Sequence, residues 1–154
     1  MHRILVYVDT SVFGGTQDEE FSIDSRRFID LLQRGEFIVL LSEETLRELS
    51  QSPKAVQDVY RGIQPEQLAV VETTSEVIEL ANEYIEANVL GIASISDALH
   101  VAYATVANAD LILSWNFKHI VNFNRIRGFN SVNIRLGYRA MTILSPKEVG
   151  DENI

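Results

Sequence analysis

Three unbroken apolar runs of strand length constrain the fold most: Ile4-Leu5-Val6-Tyr7-Val8, Phe37-Ile38-Val39-Leu40-Leu41 and Leu111-Ile112-Leu113. A half-exposed strand alternates apolar and polar residues, whereas a strand covered on both faces reads as a continuous apolar block. Leu68 to Val71 and residues 141–144 could supply two more strands. Between the blocks the spacing turns helical. Phe21, Phe28, Ile29, Leu31 and Leu32 recur up to Gly35, which reads as a helix stop. Ser42 is a good N-cap for a helix over 43–51, and Pro53 and Pro65 frame a short helical segment. Val77, Ile78, Ala81, Tyr84, Ile85 and Val89 form a stripe behind Thr74 or Ser75, and Ser96 is placed to cap a helix over 97–108. Gly14-Gly15 reads as a loop, and the stretch after the third block as poorly regular. Strands alternating with helices predict a three-layer α/β/α fold with a central, mostly parallel sheet of four or five strands. In such sheets ligands bind beyond the carboxyl ends of the strands.

At 154 residues and 46% hydrophobic, the chain suits one compact domain over residues 1–154, with 148–154 a short tail. Cysteine is absent, which excludes disulfides, Cys-based zinc sites and a thiol nucleophile, and the composition suits a cytoplasmic setting. No apolar run approaches the ~18 residues of a membrane helix, and residues 1–8 do not resemble a signal peptide. The formal charge of −9 argues against bulk coating of nucleic acid. It is unevenly distributed: residues 1–110 hold 19 acids and 7 bases, residues 111–147 no acid and 6 bases. Those bases are Lys118, Arg125, Arg127, Arg135, Arg139 and Lys147, and Trp115, Phe117, Phe123 and Phe129 interleave with them. Stacking plus cations is how single-stranded RNA is held; the same aromatics could equally pack the segment.

The strand-end rule selects the polar residues that matter. Asp9 follows the first strand directly, with Thr10 and Ser11 next. Glu44 and Glu48 share a helix face after the second strand. Acids in a first turn commonly complement the helix dipole, which accounts for Glu43 and Glu44 but not for Glu48. Asp97 opens a later helix. Three carboxylates on one side of a sheet repel one another, and such a cluster normally persists with a cation among them. Oxygen donors without Cys or His at metal spacing favour Mg²⁺ or Mn²⁺, an ion that points to phosphoryl or phosphodiester chemistry. Asp110 precedes its strand and belongs at the opposite edge. No G-x-x-x-x-G-K-[ST] or G-x-G-x-x-G supports nucleotide binding.

Four segments carry a resemblance: Val8-Asp9-Thr10-Ser11-Val12, Glu44-Thr45-Leu46-Arg47-Glu48-Leu49, Ser96-Asp97-Ala98-Leu99-His100-Val101-Ala102 and Ala109-Asp110-Leu111-Ile112-Leu113-Ser114-Trp115-Asn116. In order and spacing they resemble the motifs of PIN domains, the metal-dependent ribonuclease fold of VapC-type toxins, over about residues 4–144. The resemblance implies that Asp9, Glu48 and Asp97 bind Mg²⁺ or Mn²⁺ and that Asn116 orients the attacking water. It implies RNA as substrate, with Thr10, Ser11, Ser114, Lys118, His119 and Arg125 as candidate contacts. It further implies the toxin of a type II toxin–antitoxin pair, a homodimer, and a small antitoxin partner. Where the family typically has Asp or Asn, this chain has Asn116, which supplies no negative charge. A catalytically impaired module binding RNA or protein therefore stands as the alternative. An aspartyl-nucleophile phosphohydrolase is disfavoured, because Ser11 occupies the place of its second acid.

Overall fold

The computed structural model describes residues 3–149. Strands β1 (Ile4–Val8), β2 (Phe37–Ser42), β3 (Leu68–Val71), β4 (Leu111–Leu113) and β5 (Ile143–Leu144) form one all-parallel sheet in the order β3-β2-β1-β4-β5. The helices are α1 (Thr10–Gly15), α2 (Ser22–Gln33), α3 (Glu43–Ser50), α4 (Lys54–Arg61), α5 (Ser75–Glu86), α6 (Ile95–Val106) and α7 (Phe123–Arg135). The period-two alternation of each strand sorts its side chains into two cores. Val6, Val8, Val39, Leu41, Leu111 and Leu113 pack with Phe28, Leu31 and Leu32 of α2 and Val56 of α4. Tyr7, Leu40 and Ile112 point the other way, into a core with Val77, Leu80 and Tyr84 of α5, Val101 and Ala102 of α6, and Phe129 of α7. The expected α/β/α architecture is thus observed, with both sheet faces buried.

The chain runs outward from β1 to β2 and β3, then crosses back to lay β4 on the other side of β1. That reversal makes the crevice beyond β1 and β4 the place where an open parallel sheet presents its site. Register brings Val8 level with Leu113, so Asp9 and Ser114 leave the sheet side by side. At the other end, Asp110 accepts a hydrogen bond from the Leu5 amide at 2.9 Å, the opposite edge as expected.

Four expectations need correction. Gly14-Gly15 does not form a loop but closes α1; Gly15 is needed because a Cβ there would lie 2.4 Å from Ser25 Oγ and 2.7 Å from Trp115 Nε1. Helix α6 starts at Ile95 after Ser94, leaving Ser96 inside the first turn rather than capping it. The stretch after β4 holds a regular helix, α7, capped by Asn122, whose side chain accepts from the Asn124 and Arg125 amides. The tail does not begin at 148: Glu148 closes a capping box with Ser145 and Val149 is fully buried, while residues 150–154 lie outside the described residues.

Helix α7 is held by polar as well as apolar contacts. Tyr84 Oη donates to Asn133 Oδ1 at 2.5 Å, both residues having 0% exposure. Gly128 lets α7 approach the turn that follows α5, since a Cβ there would meet Val89 Cγ1 at 2.8 Å. Removing one partner of a buried hydrogen bond leaves the other unsatisfied at a cost of about 1–3 kcal/mol. Tyr84→Phe is expected to lower the unfolding free energy by that amount in urea denaturation; an unchanged midpoint would show that the bond does not anchor α7.

Candidate active site

Asp9 is the centre of the crevice, 5% exposed. Each of its oxygens is held by a serine: Ser11 Oγ donates to Oδ1 at 2.6 Å and Ser114 Oγ to Oδ2 at 2.7 Å. The serines in turn accept backbone amides from the segment leaving β4, Trp115 N to Ser11 at 2.9 Å and Asn116 N to Ser114 at 2.9 Å. The Asp9 carboxylate therefore buckles the exit of β4 onto the end of β1. Burial pushes its pKa up, with a smaller push from the Glu48 charge; His100, Ser11 and Ser114 pull it down without cancelling the rise.

Glu48 reaches the same region from the second turn of α3. Its Oε1 accepts from Thr10 Oγ1 at 2.7 Å and lies 2.9 Å from His100 Nε2. Burial alone would raise its pKa, but the bonds from His100 and Thr10 outweigh that and hold the carboxyl below its ordinary value. One turn earlier, Glu44 accepts from Ser96 Oγ at 2.9 Å. The pairs Glu44–Ser96 and Glu48–His100 repeat every four residues on both helices, and so lock α3 to α6 along matching faces.

Asp97 stands on α6. Its Oδ1 accepts from Asn116 Nδ2 at 3.1 Å and its Oδ2 lies 2.9 Å from His119 Nδ1. Asn116 Oδ1 accepts the His119 amide at 2.9 Å, which fixes the orientation of the Asn116 amide. An Asp at 116 would repel Asp97, whereas Asn bonds to it.

Burial would lower the pKa of His100, but the Glu48 hydrogen bond and the charges of Asp9, Glu48 and Asp97 outweigh it; Glu48 touches the ring directly, and Asp97 stands one turn earlier on the same helix. The three acids do not stand ready as a cage: among the described residues no group of three or more His, Asp or Glu is set to hold a metal ion. Each acid is instead hydrogen-bonded within the protein, Asp9 by Ser11 and Ser114, Glu48 by Thr10 and His100, and Asp97 by Asn116 and His119. The donor chemistry still fits a hard divalent cation. The donors are carboxylate oxygens, and the buried Asp9 charge, opposed by burial and by Glu48, is one that a cation would stabilise. Mg²⁺ is commonly bound by one or two carboxylates with waters and phosphate completing its shell.

The hydroxyls of Thr10, Ser11 and Ser114, candidate substrate contacts, donate to the carboxylates of Glu48 and Asp9. His119 is part of the Asp97 cluster, and Lys118 is exposed beside it. Arg125 is directed elsewhere, its guanidinium donating to the Val89 carbonyl at 2.5 Å. The acid-free stretch does not gather into one basic patch. Arg135 pairs with Glu83 at 3.4 Å, and Arg139 donates to the Asn108 and Ala109 carbonyls at the far end of β4. Of the interleaved aromatics, Trp115 and Phe129 are buried, Phe117 and Phe123 exposed. Phe123 lies under the Arg127 guanidinium, 5.6 Å from its ring centroid. Sequence reasoning did not assign Tyr7, Ser42, Glu44 or His100 to the site; the four-residue step from Ser96 to His100, matching Glu44 to Glu48, was the available signal.

A parallel α/β domain with a carboxylate crevice at the switch between β1 and β4 defines the class. The PIN domain family profile matches residues 6–119, and the chain belongs to that family. No curated protein sequence matches it. Among solved structures it is similar to VapBC2 from Rickettsia felis bound to a DNA fragment from their promoter. The TM-score is 0.60 at 16% identity, covering 92% of this chain and 98% of that one. It is also similar to FitAcB from Neisseria gonorrhoeae, with a TM-score of 0.59 at 13% identity, covering 94% and 99%. FitAB bound to an IR36 DNA fragment gives 0.59 and 13%, covering 96% and 99%. At these identities the likeness concerns the fold.

Because Asp9 titrates above its ordinary value in the folded state, its contribution favours folding below the ordinary carboxylate range. That contribution is lost as pH rises through the folded pKa. In chelator-treated protein, Asp9→Asn is expected to melt higher than the wild type at pH 7, with the difference shrinking toward about pH 4. Comparing the two at each pH cancels the opposite trend of Glu48. A variant that melts lower than the wild type at pH 7 contradicts this reading of Asp9.

Proposed function

We propose that the protein is a divalent-metal-dependent endoribonuclease that hydrolyses RNA phosphodiester bonds, the toxin of a type II toxin–antitoxin pair. The observation that carries the reading is the buried Asp9 carboxylate at the β1–β4 switch, with Glu48 hydrogen-bonded to His100 of α6 and Asp97 on that same helix, in a chain of the PIN domain family. Asp9, Glu48 and Asp97 would hold Mg²⁺ or Mn²⁺, directly or through water. When bound, such an ion supplies Lewis-acid stabilisation of the attacked phosphate and lowers the pKa of the attacking water.

The chain's own residues do the rest. Ser11 and Ser114 keep Asp9 in place, and Thr10 keeps Glu48. Asn116, held by Asp97 and His119, presents an amide to the attacking water. Lys118 and the exposed Phe117 on the same loop offer a cation and a stacking face to the RNA. The dispersal of the other bases predicts weak affinity for bulk RNA and selective cleavage. A homodimer, a small antitoxin whose basic segment complements the acidic crevice, and a cytoplasmic setting belong to the same reading. No helix among the described residues is long and apolar enough to cross a membrane.

One observation favours the alternative of a binding module with impaired catalysis: the Asn116 amide, in place of an acid, is already bonded to Asp97. An RNA panel incubated with Mn²⁺ separates the two. The nuclease reading expects cleavage that chelator stops and that Asp9→Asn lowers by at least about a hundredfold, the scale of losing a charge-stabilising group. Cleavage indifferent to chelator or to Asp9→Asn overturns it, and RNA binding without turnover in any metal establishes the alternative.

A further inference from the structure

We propose that His100 is a positioning residue of this site, and that Tyr7, His100 and Glu48 form a buried relay orienting the Glu48 carboxylate toward the crevice; the inference rests on the reading of Glu48 as a site acid. His100 is 3% exposed and Tyr7 0%, so neither is available to an RNA chain. His100 Nε2 lies 2.9 Å from Glu48 Oε1 and Nδ1 lies 2.7 Å from Tyr7 Oη. Tyr7 Oη also bonds to Ser42 Oγ at 2.7 Å, with Thr45 Oγ1 at 3.4 Å. Ser42 is the N-cap of α3, accepting the Thr45 amide at 3.1 Å.

The relay thus leaves α3 at its cap, crosses β1 and α6, and returns to α3 two turns on at Glu48. Both ends sit on one short helix, so the ring can neither tilt nor slide without breaking a bond. An ionised carboxylate only accepts, so Nε2 carries a proton toward Glu48 and Nδ1 faces the Tyr7 hydroxyl. With Thr10 on the same oxygen, Glu48 is held through Oε1, and Oε2 is left for the crevice. Outer partners of this kind fix ligand orientation, and their loss commonly costs 10–100-fold in metal affinity.

Two measurements on the full chain test this. In the metal-free wild type, the His100 Nε2 proton is expected as a slowly exchanging ring signal in the ¹H–¹⁵N spectrum that moves in Glu48→Gln and in Tyr7→Phe. A signal that exchanges rapidly with water, or ignores Glu48→Gln, overturns the proposal. Mn²⁺ alone, titrated by calorimetry, is expected to bind His100→Leu at least about tenfold more weakly than the wild type. His100→Gln, whose amide can donate to Glu48, recovers most of the loss, with circular dichroism confirming each fold. Equal Mn²⁺ affinity of the folded Leu variant and the wild type overturns the proposal. A wild type that binds no Mn²⁺ overturns the metal reading of the site, and the ring proton then decides the placement of His100 by itself.

Discussion

A carboxylate buried at the end of β1 is the constraint on which the rest of the site depends. An ionised group removed from water must be hydrogen-bonded or paired, and Asp9 meets that demand through Ser11 and Ser114. Those serines gather the Trp115 and Asn116 amides, so the need to solvate one charge also sets the path of the chain after β4. That path delivers Asn116 and His119 to Asp97. The strand order supplies the geometry, since only a strand that returns beside β1 can present its first exit residue to the Asp9 carboxylate.

The second half of the site is built from α3 and α6 and solves a different problem. Glu48 and Asp97 reach the crevice from helices rather than from a strand end. His100 and Thr10 restrain one, Asn116 and His119 the other. Asn116 makes the metal-free arrangement self-sufficient, replacing a repulsive contact with Asp97 by a hydrogen bond. Every buried side-chain polar atom among the described residues has a partner, and the acids are accommodated by hydroxyl and amide donors and by two imidazoles, His100 and His119. Such a crevice is satisfied by its own hydrogen bonds, and a cation would compete with them for its ligands.

The sheet was legible because its strands are unbroken apolar runs, and the positions of Asp9, Glu48 and Asp97 followed from strand and helix ends. Helix α7 was not legible. Phe123 and Ile134 are exposed, its buried positions include Asn133, and a glycine, Gly128, stands mid-helix where Val89 approaches, so neither periodicity nor propensity marks it. Tyr7 was hidden inside an apolar run, where it reads as core, although its hydroxyl anchors the site. His100 pairs with Tyr7 across 93 positions, a relation that only the fold creates. The acid-free stretch misled in the other direction, since bases adjacent in sequence are dispersed by α7 to Val89, Glu83 and the start of β4.

Location of the cation tests the central claim most directly. In crystals equilibrated with Mn²⁺, anomalous scattering is expected within the crevice, with Asp9 as a ligand and Glu48 or Asp97 completing the protein's share. Saturating Mn²⁺ that leaves the crevice without anomalous density, or that places the ion away from Asp9, would contradict the assignment of these carboxylates to a metal-dependent site.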